Sequence, residues 1–457
     1  ATRGAIRSCI PPTVQKPICL RATYDASVLK DDMSTGNGVG ADMEAAIRMN
    51  ASAVAIQCFI GGAGEARSLE TLCRAVDAGE RYGIPVLGVT AVGKEMARTT
   101  QYFLLATRML AELEKAQRYI FLEYFIIDEG LMWGRILEVL ARKAAGGVDV
   151  RVMYDGTCEF STLPRDYPKR LEALGIRCKV FAPVTPFVST HYNYRDHRKI
   201  LVIDGRVGFT GGVNLADEYI NHVEKYGRWK DAAVMLEGEG VRSMTALFLQ
   251  MWSVLQEPEF EQFLRPEVPA ARAEGFVVPY GDCPLDGERV GEMVYIDLLN
   301  RARKYVHIIT PYLILDGELE TALRFAAERG VDVHLILPGV PDKQFAYALA
   351  KTHYKALLSS GVKISEWTPG FTHAKLVVMD GVEAVVGTIN LDYRSLYHHF
   401  ENAVWMRRVG SIRDMETDFQ DTLARCRTVE ATLQSVWQGK KLLRLMGLLL
   451  KVIAPLM

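Results

Sequence analysis

The sequence lacks the cysteine spacing that marks a zinc site or a disulfide scaffold. Its eight cysteines stand singly along 457 residues, and none belongs to a Cys-x-x-Cys pair. Structural zinc sites and small disulfide-bonded domains both need cysteines at close, repeated spacings. We therefore expect reduced thiols, a cytoplasmic setting and no zinc.

Long apolar runs and a strong net charge are also missing. The chain has no uncharged apolar stretch of about 18 residues, the length that favours a membrane-spanning helix. Residues 1–12 lack the apolar core of a signal peptide. The formal net charge is −1, so no overall cationic field attracts a nucleic acid. We expect no membrane-spanning helix and no nucleic-acid partner.

One strongly apolar segment does occur, over residues 441–457. It reads KLLRLMGLLLKVIAPLM, and Arg444 and Lys451 interrupt it. This composition is typical of a helix that lies in a membrane interface. A helix docked on the protein core explains it equally well, so both interpretations stay open.

The main feature of the chain is an internal duplication that begins near residue 114. Four segments recur in the same order: 114–127 matches 300–315, 146–156 matches 329–339, 174–183 matches 360–369, and 197–219 matches 373–395. Self-similarity of this kind indicates two copies of one structural unit.

Each copy alternates helical segments with short apolar strands. This pattern predicts an α/β sandwich with largely parallel strands covered by helices, and two such domains that pack against each other. We expect domain 1 over 114–258, a linker rich in proline, glycine and charge over 259–291, and domain 2 over 292–440. The apolar helix of 441–457 follows.

Residues 1–113 do not belong to the duplication. They alternate strand-like and helical runs, and strings such as DMEAAIRMNASAVAIQCFIG and AVDAGERYGIPVLGVTAVGKEM resemble class I aldolases of the autoinducer-2 thiolase type. The resemblance ends near Leu113, before the place of the Schiff-base lysine of that family. It covers about three of the eight βα units of a complete barrel. We expect an incomplete βα-barrel-like fragment without aldolase chemistry.

The residues that carry chemistry occur in both copies of the repeat. The first copy has His197-x-Lys199-x4-Asp204, followed by Gly211, Gly212 and Asn214, and the second has His373-x-Lys375-x4-Asp380, followed by Gly387 and Asn390. One His-x-Lys-x4-Asp string is a weak signal, because three specified residues in eight recur by chance. Two copies at equivalent places of a duplicated scaffold are a strong one.

Strand geometry explains the spacing of this motif. His197 and Lys199 point to the same face of a strand, whereas Arg198 points to the other. The Asp204-Gly205 pair is typical of a hairpin turn, and the returning strand brings Asn214 back towards His197. The second copy repeats the arrangement, so a pseudo-twofold axis is expected to place both sets of residues around one phosphate.

This set of residues suits transfer of a phosphodiester group without a metal or another cofactor. Lys199, Lys375, Asn214 and Asn390 are the donors expected to stabilise the phosphate charge. One imidazole attacks phosphorus, and the other acts first as acid and then as base. From the residues alone, the two histidines can exchange these roles.

Two carboxylates follow the motifs at corresponding places. Asp231 stands in GRWKDAAV and Glu401 in HHFENAV. A carboxylate behind each imidazole would fix its tautomer, which predicts that these residues orient the histidines. The alternative is that both are solvated surface charges.

At these residues the chain resembles the phospholipase D superfamily, and bacterial cardiolipin synthases most closely. The strings NYRDHRKILVIDGRVGFTGGVNLADEY, TPGFTHAKLVVMDG and GTINLDYRSL carry the resemblance, which extends over about 114–457. It implies that Asp204 and Asp380 are structural more than chemical, that His197 is the nucleophile and that His373 is the acid and base. It also implies transfer of a phosphatidyl group between two phosphatidylglycerol molecules, giving cardiolipin and glycerol.

The chain departs from that family at its front end, where the family usually has two membrane helices. We therefore expect a peripheral protein on the cytoplasmic face of the cell membrane, which binds the membrane surface through 441–457 and the apolar loop 181–194. Two alternatives to the transferase are a phospholipase D or nuclease hydrolase of the same fold, and an inactive scaffold.

Overall fold

The computed structural model describes Ile6 and residues 17–24, 38–39, 42–60, 65–92, 108–183, 193–254, 256–257, 259–264 and 274–452. Residues 184–192 of the apolar loop and residues 453–457 of the C-terminal segment lie outside these ranges. The chain forms two compact units, Ala1–Thr100 and Gln101–Met457. The division precedes the boundary expected near residue 113, and Met109 and Leu113 lie in a core of the second unit.

The first unit contains a small parallel sheet. The strands of this unit are β1 (Cys19–Arg21), β2 (Thr23–Tyr24), β3 (Gly38–Val39), β4 (Ala53–Ile60) and β5 (Val86–Val92), and its helices are α1 (Met43–Arg48) and α2 (Glu65–Tyr82). Strands β2 and β3 form a separate antiparallel pair. The sheet order is β1-β4-β5, with both pairs parallel. Leu20, Val54 and Ile56 are buried in its core. The alternation of strands and helices expected over residues 1–113 is present in this part.

The first copy of the repeat forms a six-stranded sheet. The strands of this copy are β6 (Tyr119–Tyr124), β7 (Asp149–Asp155), β8 (Arg177–Phe181), β9 (Arg195–Asp196), β10 (Lys199–Ile203), β11 (Val207–Gly211), β12 (Arg228–Lys230) and β13 (Ala233–Glu237). The helices are α3 (Leu131–Ala145), α4 (Cys158–Ser161), α5 (Tyr167–Ala173), α6 (Val241–Trp252) and α7 (Phe260–Leu264), with a 3-10 helix over Asp217–Ile220. The sheet order is β13-β11-β10-β6-β7-β8.

The second copy repeats this sheet and extends it. Its strands are β14 (Phe276–Asp282), β15 (Tyr305–Ile309), β16 (Leu313–Ile314), β17 (Asp332–Pro338), β18 (Lys363–Trp367), β19 (Gly370–Thr372), β20 (Leu376–Met379), β21 (Glu383–Gly387), β22 (Leu391–Asp392), β23 (His399–Arg407) and β24 (Cys426–Val429). Its helices are α8 (Val290–Arg301), α9 (Gly317–Glu328), α10 (Gln344–Ser359), α11 (Tyr393–Tyr397), α12 (Ser411–Leu423), α13 (Leu433–Trp437) and α14 (Lys441–Leu450). The sheet order is β14-β23-β21-β20-β15-β17-β18-β24.

Both large sheets are mixed, so the expectation of largely parallel strands is wrong. In the first sheet β6, β7 and β8 are parallel, whereas β10, β11 and β13 each run antiparallel to a neighbour. The same division recurs in the second sheet, where β15, β17 and β18 are parallel. The Asp-Gly hairpins force this result, because a two-residue turn joins only antiparallel strands. The expected α/β sandwich of two tandem domains is confirmed.

The two sheets pack face to face through one apolar core. Ile200 and Val202 of β10 share this core with Leu376 and Val378 of β20. The intervening Leu201 belongs instead to the core on the other face of its own sheet. Because successive side chains of a strand point to opposite faces, each sheet buries both of its faces. The two copies therefore form one compact body.

Each motif aspartate closes a tight turn between two of these strands. Asp204 and Gly205 have φ values of 53° and 67°, the left-handed conformation that a type I′ hairpin needs. The Asp204 carboxylate also accepts hydrogen bonds of 2.8 to 2.9 Å from the backbone N–H groups of residues 117–119. Asp380 repeats both features, with hydrogen bonds from residues 303–305. These hydrogen bonds hold the hairpin against the start of β6 in the first copy and the start of β15 in the second.

Short strands cross between the two halves. β9, directly before His197, pairs in parallel with the first residues of β23, directly before Glu401. β19, directly before His373, pairs in parallel with β12, directly before Asp231. Each pair brings the residue that follows one strand beside the residue that follows the other, and the pseudo-twofold axis relates the two pairs.

Candidate active site

The crossed strands place each motif histidine against a carboxylate from the opposite half. Nδ1 of His197 lies 2.9 and 3.0 Å from the two carboxylate oxygens of Glu401. Nδ1 of His373 lies 2.9 Å from Oδ2 of Asp231. All four side chains are buried. The interpretation of Asp231 and Glu401 as surface charges is therefore wrong, and each carboxylate contacts the histidine of the other copy.

The electrostatics of each pair favour a neutral imidazole and an ionised carboxylate. Burial lowers the pKa of His373 to about 4, with a further contribution from Lys375, and Asp231 opposes the shift. Burial likewise holds the pKa of His197 well below its ordinary value, against the effect of Glu401. A neutral ring that donates Nδ1–H to a carboxylate keeps the lone pair on Nε2.

The carboxylates stay ionised despite their burial. Burial acts to raise the pKa of Glu401, but the adjacent His197 outweighs it and the net pKa is lowered. The pKa of Asp231 is also lowered, because the contact with His373 outweighs the effect of burial. Thr388 adds a hydrogen bond from its hydroxyl to Glu401, and the backbone N–H of Ala232 donates to Asp231.

Both motif lysines are buried beside their histidines. Nζ of Lys199 donates to the backbone carbonyl of His197 at 2.6 Å, and Nζ of Lys375 makes the same bond to His373. Burial lowers the pKa of Lys199 to about 8 and that of Lys375 to about 7. Each ammonium group is therefore a cation whose charge responds to an anion placed nearby.

Asn214 and Asn390 occupy equivalent places with different partners. Oδ1 of Asn214 accepts from the backbone N–H of Ile126 at 3.1 Å, and Nδ2 donates to the Tyr219 hydroxyl at 2.7 Å. Oδ1 of Asn390 is buried and has no hydrogen-bond partner. Of these two side chains, only Asn390 has a buried amide oxygen without a hydrogen-bond partner, and that oxygen can accept from a ligand.

Both histidines and both asparagines line a single cavity of about 840 Å³. Among the described residues of its wall, four cationic side chains also line it, namely Arg195, Lys225, Lys343 and Arg394. Lys199 and Lys375 are not among the residues of this wall, and a direct contact of either lysine with a phosphate stays a prediction. The expected meeting of the two copies around one pocket is observed.

Gly212 is required where the two halves meet. A Cβ atom at this position would overlap the carboxylate of Asp231 and the backbone carbonyl of His373. The small residue lets β11 approach the histidine of the opposite half, which explains the second glycine of the Thr-Gly-Gly string.

Two groups of described side chains have the spacing of metal ligands. His197, His399 and Glu401 form the first, and Glu292, Asp316 and Glu318 form the second. In the first group His197 is already hydrogen-bonded to Glu401. Asp316 of the second group accepts hydrogen bonds from the N–H of Leu319 and the Tyr397 hydroxyl. The absence of a metal in the reaction stays a prediction.

Sequence reasoning missed His399 and Tyr219. His399 lines the cavity, and its ring centroid lies 5.3 Å from that of His197. Tyr219 packs edge-on against His373 with a centroid distance of 5.5 Å. His399 stands two positions before Glu401, so strand alternation could have placed both on one face.

The sequence model of one protein family, described as "Cardiolipin synthase, PLD-like domain", matches residues 109–252 and 295–423. The chain belongs to this family. The match covers both halves of the cavity and both His-x-Lys-x4-Asp motifs, so the resemblance noted from the sequence is confirmed.

Two relatives match two thirds or more of this chain. An uncharacterized protein of Streptococcus mutans serotype c is 60% identical over 350 residues, which is 76% of this chain and 76% of that protein. The cardiolipin synthase of Geobacillus thermodenitrificans is 36% identical over 311 residues, which is 67% of this chain and 62% of that protein. The chain thus spans under two thirds of the length of this named synthase.

A solved structure shows the same fold. The phosphatidylserine synthase of Haemophilus influenzae matches with a TM-score of 0.62 at 15% identity, over 79% of this chain and 97% of that structure. At this identity the likeness shows the fold alone.

Proposed function

We propose that the chain transfers a phosphatidyl group from one phosphatidylglycerol to the hydroxyl of a second, giving cardiolipin and glycerol. The observation that carries the proposal is that His197 and His373, one from each half, line the same cavity. Membership of the cardiolipin synthase family supports the substrate class.

In the first step, Nε2 of His197 attacks phosphorus and the bond from phosphorus to the glycerol oxygen breaks. His373 gives its Nε2 proton to that oxygen, so neutral glycerol leaves and a phosphatidyl-histidine remains. Glu401 stabilises the positive charge that develops on His197, because its carboxylate accepts a hydrogen bond from Nδ1–H of that ring.

In the second step, the acceptor lipid replaces glycerol. His373 removes the proton from a hydroxyl of the second phosphatidylglycerol, and that oxygen attacks phosphorus. The phosphorus–nitrogen bond breaks, His197 leaves as a neutral ring, and His373 is protonated again. Atoms and charges balance over the two steps without a metal or a cofactor.

Substrate binding favours the protonated form of His373 that the first step needs. In the free protein, burial lowers the pKa of His373 to about 4, so this ring is mainly neutral near pH 7. A phosphodiester anion in the cavity favours the protonated forms of His373, Lys199 and Lys375, because each gains an opposite charge nearby. We expect the lipid phosphate itself to recruit the catalytic proton.

We also propose that the mouth of the cavity rests on the cytoplasmic face of the membrane. No helix among the described residues is long and apolar enough to cross a bilayer. Phe160 and Phe345 line the cavity with 68% and 59% of their surface exposed. Leu442, Leu445, Leu448 and Leu449 of α14 are exposed as well, and so is Val452 just after the helix. Aromatic and leucine side chains beside lysines are typical of an interfacial surface.

Both interpretations of the C-terminal segment, a helix docked on the core and a helix in the membrane interface, are compatible with α14. Its inner side packs on α10, where a Cβ added to Gly447 would touch the carbonyl of Ala348. Leu450 packs against Ile314 and Leu349. The leucines on the opposite side face outward, so the helix can be docked on the protein and still contact lipid.

The test is an assay of the purified chain with vesicles of phosphatidylglycerol, in which cardiolipin and glycerol are measured. We expect both products in equal amounts, and their loss in His197→Ala and His373→Ala. The matched control is His307→Ala, since His307 also pairs with a carboxylate, Glu416 at 2.9 Å, but is not among the described residues that line the cavity. Phosphatidic acid with no cardiolipin would show a hydrolase instead.

A further inference from the structure

A different residue packs beside each of the two histidine–carboxylate pairs. Trp229 stands two positions before Asp231, and His399 stands two positions before Glu401, on the strands that cross between the halves. The Trp229 ring lies 5.4 Å from the His373 ring, and the His399 ring lies 5.3 Å from the His197 ring, centroid to centroid. The positions are therefore equivalent, but the side chains are not.

The two rings meet their carboxylates with different chemistry. Nε1 of Trp229 donates to Oδ2 of Asp231 at 3.3 Å. Nδ1 of His399 lies 3.6 Å from Oε1 of Glu401, beyond hydrogen-bond length. An indole is a permanent donor that does not titrate in the physiological range, whereas an imidazole gains or loses a proton there.

His399 is buried, and neither of its ring nitrogens makes a hydrogen bond of normal length. Only 8% of its surface is exposed, and neither Nδ1 nor Nε2 has a hydrogen-bond partner. The ring lines the main cavity and also a smaller cavity of about 190 Å³. A buried polar side chain without partners costs free energy, which is consistent with a functional requirement at that position.

We propose that His399 is a positioning residue that makes the two halves inequivalent. Its imidazole tunes the protonation of His197 through the shared carboxylate of Glu401, a role that Trp229 cannot play for His373. The inference rests on the proposed role of His197 in the reaction.

The expected direction follows from the charges around Glu401. A protonated His399 would partly neutralise Glu401, which then stabilises the protonated form of His197 less strongly. His399 accordingly acts to lower the pKa of His197, after burial and the larger effect of Lys199. His197 thus stays neutral and nucleophilic to lower pH.

Other titratable groups lie near His399 and contribute to its field. They come from its own strand and from each neighbouring element, and they are Glu401, His197, Asp392, Asp282, Glu288, Arg289 and Tyr397. None of them changes in the variants below, so their contribution is common to all.

The experiment compares His399→Asn with His399→Ala. Asparagine keeps an N–H donor near the place of Nδ1 but cannot be protonated, whereas alanine removes donor and charge. We expect His399→Asn to lower the plateau of kcat less than tenfold and to move the acid limb of the pH profile up by roughly one pH unit. We expect His399→Ala to lower the plateau further. His307→Asn is the matched control and should keep the wild-type profile.

Two outcomes would overturn the proposal. If both variants lower kcat equally at every pH, then His399 has only a structural role. If the pH profile of kcat in His399→Asn has the same plateau and the same shape as in the wild type, then His399 has no role in the reaction.

A second readout separates this inference from the proposed function. Nuclear magnetic resonance of the histidine rings follows the pKa of His197 directly in protein without substrate. His399→Asn should raise that pKa even if the chain proves to be a hydrolase. An unchanged pKa of His197 in this variant contradicts the inference, whatever reaction the wild type performs.

Discussion

His197 and Glu401 lie 204 positions apart in the chain, yet the imidazole Nδ1 of one is 2.9 Å from the carboxylate of the other. His373 and Asp231, separated by 142 positions, repeat the relationship. Each half supplies the histidine of one pair and the carboxylate of the other. Neither half therefore contains a complete histidine–carboxylate pair.

The crossed pairing predicts which histidine each carboxylate controls. Glu401→Gln should change the ring resonances and pKa of His197 and leave those of His373 nearly unchanged, and Asp231→Asn should do the reverse. Each variant should lower kcat by roughly 10²- to 10⁴-fold, because the ring loses the group that orients it. Histidine nuclear magnetic resonance and the vesicle assay measure the two effects. A response of His197 to Asp231→Asn alone would refute the pairing.

The motif aspartates should matter for stability more than for chemistry. Asp204→Ala removes three hydrogen bonds to backbone N–H groups and places a left-handed φ on alanine, so we expect a loss of about 1.5–3 kcal/mol in the free energy of unfolding. Asp204→Asn tolerates the left-handed φ and should lose less. Urea denaturation measures both. A stable Asp204→Ala protein without activity would instead show a direct role in the reaction.

The buried histidines should make the fold sensitive to acid. Burial lowers the pKa of His373 to about 4, whereas an unfolded chain has a value near 6.5. Between these values the unfolded state binds more protons, so the free energy of unfolding falls as the pH falls from about 7 to 4. Urea denaturation at several pH values should show a shallower fall in His373→Asn. An equal slope in both proteins would contradict the depressed pKa of His373.

The exposed phenylalanines should control binding to vesicles. Phe160→Ser and Phe345→Ser each remove an exposed aromatic ring at the cavity wall, and the double variant should bind anionic vesicles at least tenfold more weakly in a sedimentation assay. Its kcat on phosphatidylglycerol dispersed in detergent should change little. Phe325→Ser is the control, because Phe325 is 52% exposed on α9 and is not among the described residues of the cavity wall. Equal weakening by the control would refute a specific lipid-facing surface.

Removal of metal ions should not affect the reaction. In the proposed mechanism, lysine, asparagine and histidine side chains balance the phosphate charge, so we expect dialysis against a chelator to leave kcat unchanged. The vesicle assay before and after dialysis checks this. Loss of activity that a divalent cation restores would overturn the proposed metal-free mechanism.

Much of the fold and the site could be predicted from local pattern. The duplication, the alternation that sets His197 and Lys199 on one face, and the Asp-Gly turn all depend on residues close together in the chain. The sequence pattern predicts largely parallel strands and not mixed sheets, although the Asp-Gly turn itself requires an antiparallel hairpin. The expected linker over 259–291 contains β14, which pairs with β23 across more than 100 positions. Pairing over such distances leaves no trace in local periodicity.

The sequence by itself determined that two equivalent motifs exist and which side chains in each can perform phosphodiester chemistry, because spacing along a strand dictates which residues share a face. Only the tertiary structure decided which carboxylate serves which histidine and that His399 stands where its counterpart is Trp229. Those relationships arise from the crossing of β9 and β12 into the opposite half. Such crossings depend on how the two sheets pack, and no short stretch of residues contains that information.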